Sequence, residues 1–159
     1  MTLCYLALGS NLRSPHRQLS HAINALRQLP RTCIQTRSCY YHTKPMGIRA
    51  QPDFLNMAIA LHTTLSPQQL LYHCKMIEQK HRRIHKKVWG ARTLDIDIIL
   101  FGQQHVRLPT LNIPHPELLK RDFVIVPLLE IAPNLRLPTG EYLAQYAPSH
   151  YTWIRKIMK

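Results

Sequence analysis

The stretch "GARTLDIDIILFG", from Gly90 to Gly102, places two aspartates in an otherwise apolar run. Its isoleucines and leucines predict a buried strand, although aspartate is depleted in strands. Successive side chains of a strand alternate between faces, so Asp95 and Asp97 share one face, with their backbones roughly 6.5–7 Å apart. Two carboxylates held this close repel each other and need a compensating cation. We therefore expect this strand to serve both the core and a charged site.

A hard divalent cation would compensate the two aspartates. Mg²⁺ binds one or two carboxylates together with substrate phosphates and water, and pairs of metal ions about 3.5–4 Å apart recur in displacements at phosphorus. The alternative is a pair of solvent-facing acids on an edge strand. Arg92, a basic segment just upstream and the scarcity of acids elsewhere in the chain favour a metal-phosphate site.

The segments around this strand predict one α+β domain that spans residues 1–159. Predicted strands cover 4–12 with its closing turn, 33–42, 54–63 and 94–101, and the predicted helices cover 15–29, capped by Ser14, and a segment that starts with a capping box at Ser66. The order β-α-β-β-α-β matches the ferredoxin-like arrangement, a mostly antiparallel sheet with helices on one face. In the strand 94–101 we expect Ile96, Ile98 and Leu100 to point to the face opposite the two aspartates, into the core. Residues 123–133 predict a short strand followed by a helical turn.

Composition places the chain among globular proteins of the cytoplasm. Its 159 residues are 45% hydrophobic, and no apolar run reaches the length of a membrane span. The start of the chain has no basic segment or small-residue cleavage site, so we expect a first strand there and no signal peptide. The four cysteines form no CxxC pair and are expected to be reduced, buried thiols. Nothing in the sequence demands an oligomer, and we expect a monomer.

Positive charge dominates the surface, with 21 Lys and Arg against 8 Asp and Glu, a net charge of +13. Such a surplus attracts polyanions, which include nucleic acids, anionic membranes and phosphorylated substrates. Much of the charge lies in "KHRRIHKK", residues 80–87. This segment could be a solvated helix end, a loop that closes over a polyphosphate, or a nucleic-acid patch. Trp89 follows it and could stack on a base or pack the base of the loop.

Several segments together resemble one known family. "WGARTLDIDIILFG" is similar to the signature of 6-hydroxymethyl-7,8-dihydropterin pyrophosphokinases. Family-like segments occur in order along the chain: "YLALGSNL" near the start, the loop 41–47, "PDFLNMAIAL" at 52–61, "IPHP" at 113–116 and "RDFVIVPLLEIAP" at 121–133. The resemblance implies a ferredoxin-like α-β-α domain. It also implies an enzyme of folate biosynthesis that transfers pyrophosphate from MgATP to the pterin's hydroxymethyl oxygen and releases AMP.

The resemblance also implies roles for particular residues. Asp95 and Asp97 would hold two Mg²⁺ ions, and Arg92 and Arg83 would act beside them in catalysis. ATP would be bound by a set drawn from four segments: Lys75, Glu78, Arg83, His85, Trp89, Arg92, Ile98, Leu111, Asn112, His115 and Arg121. The pterin would lie between Phe54 and Phe123, with Thr43, Met46 and Asn56 along its edge and Asp95 at its hydroxyl. Its partners would thus be two small molecules, with neither a membrane nor a nucleic acid among them.

The chain departs from the family pattern upstream of the aspartates. The family usually has arginine at the positions of Val88 and His85 and proline at the position of Ala91. We hypothesise that the total charge of the loop matters more than any one position, so that Lys86 or Lys87 replaces a missing arginine. Two other functions stay open on the residues alone. A nucleic-acid-binding module would explain the charge but not the DxD pair, and a two-metal phosphodiesterase would explain the pair but not the other segments.

Overall fold

The computed structural model describes residues 1–44, 52–81, 94–150 and 154–157. Its elements in chain order are β1 (Thr2–Ser10), α1 (Pro15–Arg27), β2 (Thr32–Arg37), β3 (Tyr40–Thr43), β4 (Phe54–Thr63), α2 (Pro67–His81), β5 (Asp95–Phe101), β6 (Val106–Leu108), β7 (Leu111–Ile113), α3 (Asp122–Ile131) and β8 (Ile154–Ile157). Five predicted site residues lie outside the described residues: Met46, Arg83, His85, Trp89 and Arg92. The predictions for the basic loop, for Val88 and for Ala91 also fall outside them.

One antiparallel sheet organises the described part of the chain. Its strand order is β5-β1-β4-β3-β8, and β2 pairs with β4 next to β3. The short strands β6 and β7 form a separate hairpin. The predicted α+β class with an antiparallel sheet is confirmed. No helix in the described ranges is long and apolar enough to cross a membrane.

Helices α1 and α2 cover one face of the sheet, which we call the aliphatic face. The strand residues on this face are large and buried: Leu6, Leu8, Leu55, Met57, Ile59, Leu61, Ile96 and Ile98. Leu19, Ile23 and Leu26, which lie on one side of the predicted helix α1, pack against them. The capping box that starts α2 is confirmed, since Ser66 N donates to Gln69 Oε1 at 2.8 Å and Gln69 N donates to Ser66 Oγ at 3.1 Å. The main hydrophobic core therefore lies between this face and the two helices.

Helix α3 covers part of the opposite face, and two predictions were wrong here. Residues 123–133 do not begin with a strand, because Asp122–Ile131 is an α-helix. The helices consequently lie on both faces, with Val124, Ile125 and Leu128 of α3 packed on this second face. Those three side chains recur at the spacing of one helix side, which a run of apolar residues conceals. Asp122 lies in the first turn, where a negative charge favours the helix dipole.

A bulge in β5 corrects the prediction for Leu100. The pairing of β5 with β1 shifts register between Tyr5 and Leu6, so that Ile99 and Leu100 both pack on the α3 side. Ile96 and Ile98 remain on the aliphatic face as predicted. An extra residue in one strand reverses the alternation beyond it. The two aspartates lie before the bulge and keep their common face.

Three smaller expectations also need correction. The predicted strand 33–42 is two strands, because Ser38 and Cys39 interrupt it. Ser14 precedes α1 with left-handed backbone angles, φ 60° and ψ 78°, and its hydroxyl does not cap the helix. All four cysteines are free thiols as expected, but Cys33 is exposed because it lies on the outer side of β2.

Candidate active site

Four strands align a row of residues on the face that α3 partly covers, which we call the α3 face. Asp95 of β5 lies opposite Gly9 of β1, Gly9 opposite Asn56 of β4, and Asn56 opposite Tyr41 of β3. Residues directly opposite each other in antiparallel strands share a face, and neighbouring strands lie about 4.8 Å apart. The period of two in β5 therefore places a carboxylate, an amide and a phenol in one line across the sheet.

Small residues fill the middle of this face. Asp97 lies opposite Ala7, and Ala7 opposite Ala58, in the row next to that of Asp95. The same strands carry leucine and methionine on the aliphatic face. A floor of alanine and glycine occupies little height above the sheet, so a flat ligand can approach the backbone here.

The amide of Asn56 is held in a fixed orientation. Its Nδ2 donates to Thr43 Oγ1 at 2.6 Å, and both side chains are buried. On the other side, a Cβ placed on Gly9 would lie 2.6 Å from Asn56 Oδ1, closer than atoms pack. Glycine at position 9 is thus required for the amide to lie where it does. Asn11, also buried, donates from Nδ2 to the carbonyl of Pro52 at 2.9 Å and ties the end of β1 to the start of β4.

Two half-buried phenylalanines border this polar pair. Phe54 lies two residues before Asn56 on β4 and therefore on the same face, opposite Thr43 of β3. Phe123, in the first turn of α3, packs against the cluster formed by Cys39 and Tyr41. The guanidinium carbon of Arg121 lies 5.8 Å from the centre of the Phe123 ring. The structure thus brings all the described residues of the predicted pterin set to one face.

Charged groups gather around Asp97 at the other end of the site. Arg121 Nη1 lies 3.9 Å from Asp97 Oδ2, an ion pair too long for a hydrogen bond. The Asp97 side chain is 41% exposed, which leaves it open to a ligand. Asp95 and Asp97 offer hard carboxylate oxygens on one face, a donor set that suits Mg²⁺. Within the described residues no group of three or more His, Cys, Asp or Glu could hold a metal, so substrate oxygens would have to complete the shell.

His115 is a neutral hydrogen-bond donor beside this charge cluster. Its Nδ1 accepts a hydrogen bond from the backbone N–H of Glu117 at 3.1 Å, which leaves the proton of the neutral ring on Nε2. Burial lowers the pKa of His115, and the charge of Arg121 lowers it further, against the opposing effect of Asp97. The backbone N–H of His115 donates to Ile99 O at 3.0 Å and fixes the residue next to β5.

Other members of the predicted ATP set lie on α2, on the aliphatic side of β5 and on the β6–β7 hairpin. Glu78 is 2% exposed, and its Oε2 accepts a hydrogen bond from the backbone N–H of Ile96 at 2.7 Å. Lys75 Nζ lies 3.4 Å from Glu78 Oε1. Ile98 and Leu111 are buried in the core of the aliphatic face, while Asn112 is exposed on the hairpin. Glu78 therefore joins α2 to the beginning of β5.

Sequence reasoning gave no role to several residues of this face. The small side chains of Ala7, Gly9 and Ala58, at alternating positions of their strands, are the signal in the sequence that could have indicated them. Tyr41 and Glu130 were also overlooked, and Tyr41 OH donates to Glu130 Oε1 at 2.6 Å. No pattern could have found that pair, because the two residues are 89 positions apart.

Comparisons with known proteins show the family to which the chain belongs. Residues 5–133 match the family model described as 7,8-dihydro-6-hydroxymethylpterin-pyrophosphokinase. Two relatives are both named 2-amino-4-hydroxy-6-hydroxymethyldihydropteridine pyrophosphokinase. The one from Haemophilus influenzae is 43% identical over 91% of this chain and 91% of its own, and the one from Pseudomonas aeruginosa is 44% identical over 89% and 87%.

Solved structures share the fold at low sequence identity. The Plasmodium falciparum HPPK-DHPS wild type with pteroate superposes with a TM-score of 0.73 at 14% identity, over 91% of this chain. An HPPK-DHPS in complex with substrates gives a TM-score of 0.70 at the same identity. This chain spans 41% and 42% of the lengths of those two chains. The resemblance found in the sequence is confirmed by the family model and the close relatives, and the chain belongs to the 7,8-dihydro-6-hydroxymethylpterin-pyrophosphokinase family.

Proposed function

We propose that this chain transfers a pyrophosphoryl group from ATP to the hydroxymethyl oxygen of 6-hydroxymethyl-7,8-dihydropterin, a step of tetrahydrofolate biosynthesis. A bond forms between the pterin oxygen and the β-phosphorus, the bond from that phosphorus to the α-bridging oxygen breaks, and AMP leaves. The hydroxyl proton is lost in the same step. The observation that carries the proposal is the common face of Asp95, Asp97 and Asn56, in a chain whose family membership is established.

The pterin end of the site is built from Phe54, Phe123 and the Asn56–Thr43 pair. Aromatic rings bind a flat neutral heterocycle by stacking, and fixed polar groups then select its orientation. Asn56 has its Nδ2 engaged by Thr43, so its Oδ1 is directed to one side. We propose that this oxygen accepts a hydrogen bond from the edge of the pterin, with Met46 close by.

Asp95 stands between the pterin end and the phosphate end. It is separated from Asn56 by Gly9 alone, so a hydroxymethyl group next to the Asn56-bound ring would come near this carboxylate. We propose that Asp95 orients the attacking hydroxyl and accepts its proton. Proximity of this kind accounts for much of the rate in reactions that need little covalent help from the protein.

The phosphate end is centred on Asp97, Arg121 and His115. Asp95 and Asp97 would hold two Mg²⁺ ions bound with the triphosphate, which neutralise its charge and polarise the β-phosphorus. Arg121 and the Nε2–H of His115 would donate to phosphate oxygens from the opposite side. Arg92 and Arg83 would complete the set, with Lys75, Glu78, His85, Trp89, Ile98, Leu111 and Asn112 nearer the nucleoside.

Finer features of the protein belong to the same proposal. The strand order β5-β1-β4-β3 with two helices on one face supports a ferredoxin-like topology of a single domain. The exposed thiol of Cys33 suits a reducing compartment, the cytoplasm. We further propose that the protein acts as a monomer on two small molecules, with its surplus positive charge attracting ATP and not a nucleic acid.

Analysis of the nucleotide products tests the proposal. The protein is mixed with MgATP and the hydroxymethyl dihydropterin, and nucleotides are separated by chromatography. We expect AMP in amounts equal to the pterin diphosphate, and none when the pterin is omitted. Release of ADP, or of AMP without pterin, would contradict the proposed reaction and favour a simple kinase or a phosphodiesterase.

A further inference from the structure

Glu130 lies on the inner side of α3, and both oxygens of its carboxylate accept hydrogen bonds. The backbone N–H of Cys39 donates to Oε1 and Oε2 at 3.1 and 3.0 Å, and Tyr41 OH donates to Oε1 at 2.6 Å. Burial would raise the pKa of Glu130, but these hydrogen bonds and the charge of Lys156 lower it overall. The carboxylate therefore binds the start of β3 to the last turns of α3.

The same side of α3 carries Phe123 at its other end. Phe123, Val126 and Glu130 follow a spacing of i, i+3 and i+7, which places them along one side of the helix. Phe123 and Val126 pack against Cys39 and Tyr41, the two residues that Glu130 binds. Contacts with β3 thus run along the whole length of this helix side.

The first turn of α3 depends on such contacts more than an ordinary helix does. Pro127 lies inside the helix and has no N–H to donate to the carbonyl of Phe123. An intrahelical bond that would restrain Phe123 is therefore missing. Packing against the cluster of Cys39 and Tyr41 supplies a restraint from outside the helix.

Tyr41 is itself part of the row on the α3 face, directly opposite Asn56. Tyr41 and Cys39 form the small cluster against which Phe123 packs, and the hydroxyl of Tyr41 is held by Glu130. We propose that Tyr41 and Glu130 are positioning residues for the pterin, which hold the Phe123 ring at the correct height above the sheet. This proposal rests on the proposed function and assigns a specificity role to two residues outside the predicted site.

Binding of the two substrates measured separately tests the proposal. Tyr41→Phe keeps the ring and removes only the hydroxyl, and Glu130→Gln keeps the shape and removes the charge. Calorimetry would measure pterin affinity in the presence of Mg²⁺ and α,β-methylene ATP, which cannot release AMP, and the affinity for that analogue alone. The chain offers a matched control in a second Tyr–Glu pair, because Tyr146 OH donates to Glu141 Oε2 at 2.9 Å away from the row.

We expect Tyr41→Phe and Glu130→Gln each to raise the Kd for the pterin about fivefold, somewhat less than the full loss of a hydrogen bond to a charged group. The Kd for the ATP analogue should change less than twofold. The double variant should lose no more pterin affinity than either single variant, since both substitutions remove the same restraint. Tyr146→Phe and Glu141→Gln should leave both affinities unchanged.

Several results would overturn the proposal. Pterin affinity within twofold of the unmodified protein, with only a lower Tm, would reduce the pair to a structural contact. A parallel loss of affinity for the ATP analogue would indicate general damage to the fold. If the unmodified protein fails to bind the pterin, the proposed function itself is wrong. If the unmodified protein and the variants all bind the pterin normally, only the positioning role is wrong.

Discussion

The two faces of the sheet differ in the size and charge of their side chains. The aliphatic face carries large apolar residues beneath α1 and α2, among them Leu6, Leu8 and Ile96. The α3 face carries Ala7 and Gly9 on the same strand β1, and carboxylates on β5. Neighbouring residues of one strand therefore have different roles, because one packs in the core and the next faces the site. Leu6 and Leu8 of β1 belong to the core of the aliphatic face, and Ala7 and Gly9 between and beyond them form the floor of the site.

This division makes a general point about how a small domain combines stability with chemistry. Two like charges and several small residues on one face contribute little to folding. The opposite face of the same strands buries enough apolar surface to hold them rigidly in place. Around the site, substitutions at neighbouring positions of one strand should consequently differ: those on the α3 face should change turnover or substrate binding, and those on the aliphatic face should change stability.

Asp97→Asn should have the largest effect. It removes a charge proposed to hold Mg²⁺ while keeping the side chain's shape, and we expect kcat to fall on the order of 10³-fold. Pterin affinity and the free energy of unfolding should change little. Phe123→Ala should do the reverse and weaken pterin binding before turnover. Steady-state kinetics and pterin titrations of both variants measure this, and normal turnover by Asp97→Asn would refute the metal assignment.

Leu6→Ala tests the aliphatic face, one residue away from the floor of the site. Leu6 is fully buried between the helices and the sheet, so its truncation leaves a cavity. We expect unfolding in urea to show a loss of about 3 kcal/mol, within the usual span for such changes. The folded fraction should keep its KM for both substrates. A raised pterin KM at unchanged stability would break the division between the faces.

Gly9→Ala adds one methyl group to the α3 face. The new Cβ would lie 2.6 Å from Asn56 Oδ1, so the amide must move from its position beside Thr43. We expect the KM for the pterin to rise between about 10- and 100-fold, as displaced substrate-binding groups typically cause. The KM for ATP should change far less. An unaltered pterin KM would show that Asn56 does not contact the pterin.

The sequence was sufficient for the parts of the fold that follow a regular period. Asp95 and Asp97 share the face predicted from strand alternation, and the capping box at Ser66 formed as predicted. The run "FVIVPLLEI" was wrongly predicted to begin with a strand, because continuous apolar sequence fits a helix or a strand equally well. Its location against the sheet, and not its own preference, decides for a helix.

The site was only partly predictable, for reasons of distance along the chain. The aspartates are neighbours in sequence, whereas the contact of Glu130 with Cys39 spans 91 positions. A bulge such as the one beside Leu100 depends on the partner strand and leaves no mark in either strand alone. The proposed stacking role of Phe54 and Phe123 depends on the family resemblance, since composition alone would place both in the core.

The smallest expected effect is the dependence of stability on pH. It measures directly how α3 is attached to the sheet. Hydrogen bonds from Tyr41 and Cys39 and the charge of Lys156 hold the pKa of Glu130 below its ordinary value of 4.5, although burial opposes them. A pKa that is lowered in the folded state stabilises the protein at pH values above the ordinary pKa. This contribution is lost as the pH falls through the folded-state pKa. Glu130→Gln lacks it at every pH.

The difference in unfolding free energy between the unmodified protein and Glu130→Gln should therefore be largest near pH 7 and shrink as the pH is lowered below the ordinary value of 4.5. Urea titrations at a series of pH values measure this difference. In a Tyr41→Phe background the pH-dependent part should be smaller, because one of the hydrogen bonds that lower the pKa is gone. A difference that stays constant with pH would mean that Tyr41 and Cys39 do not bind the Glu130 carboxylate in solution. The proposed restraint on Phe123, which depends on these hydrogen bonds, would then be absent.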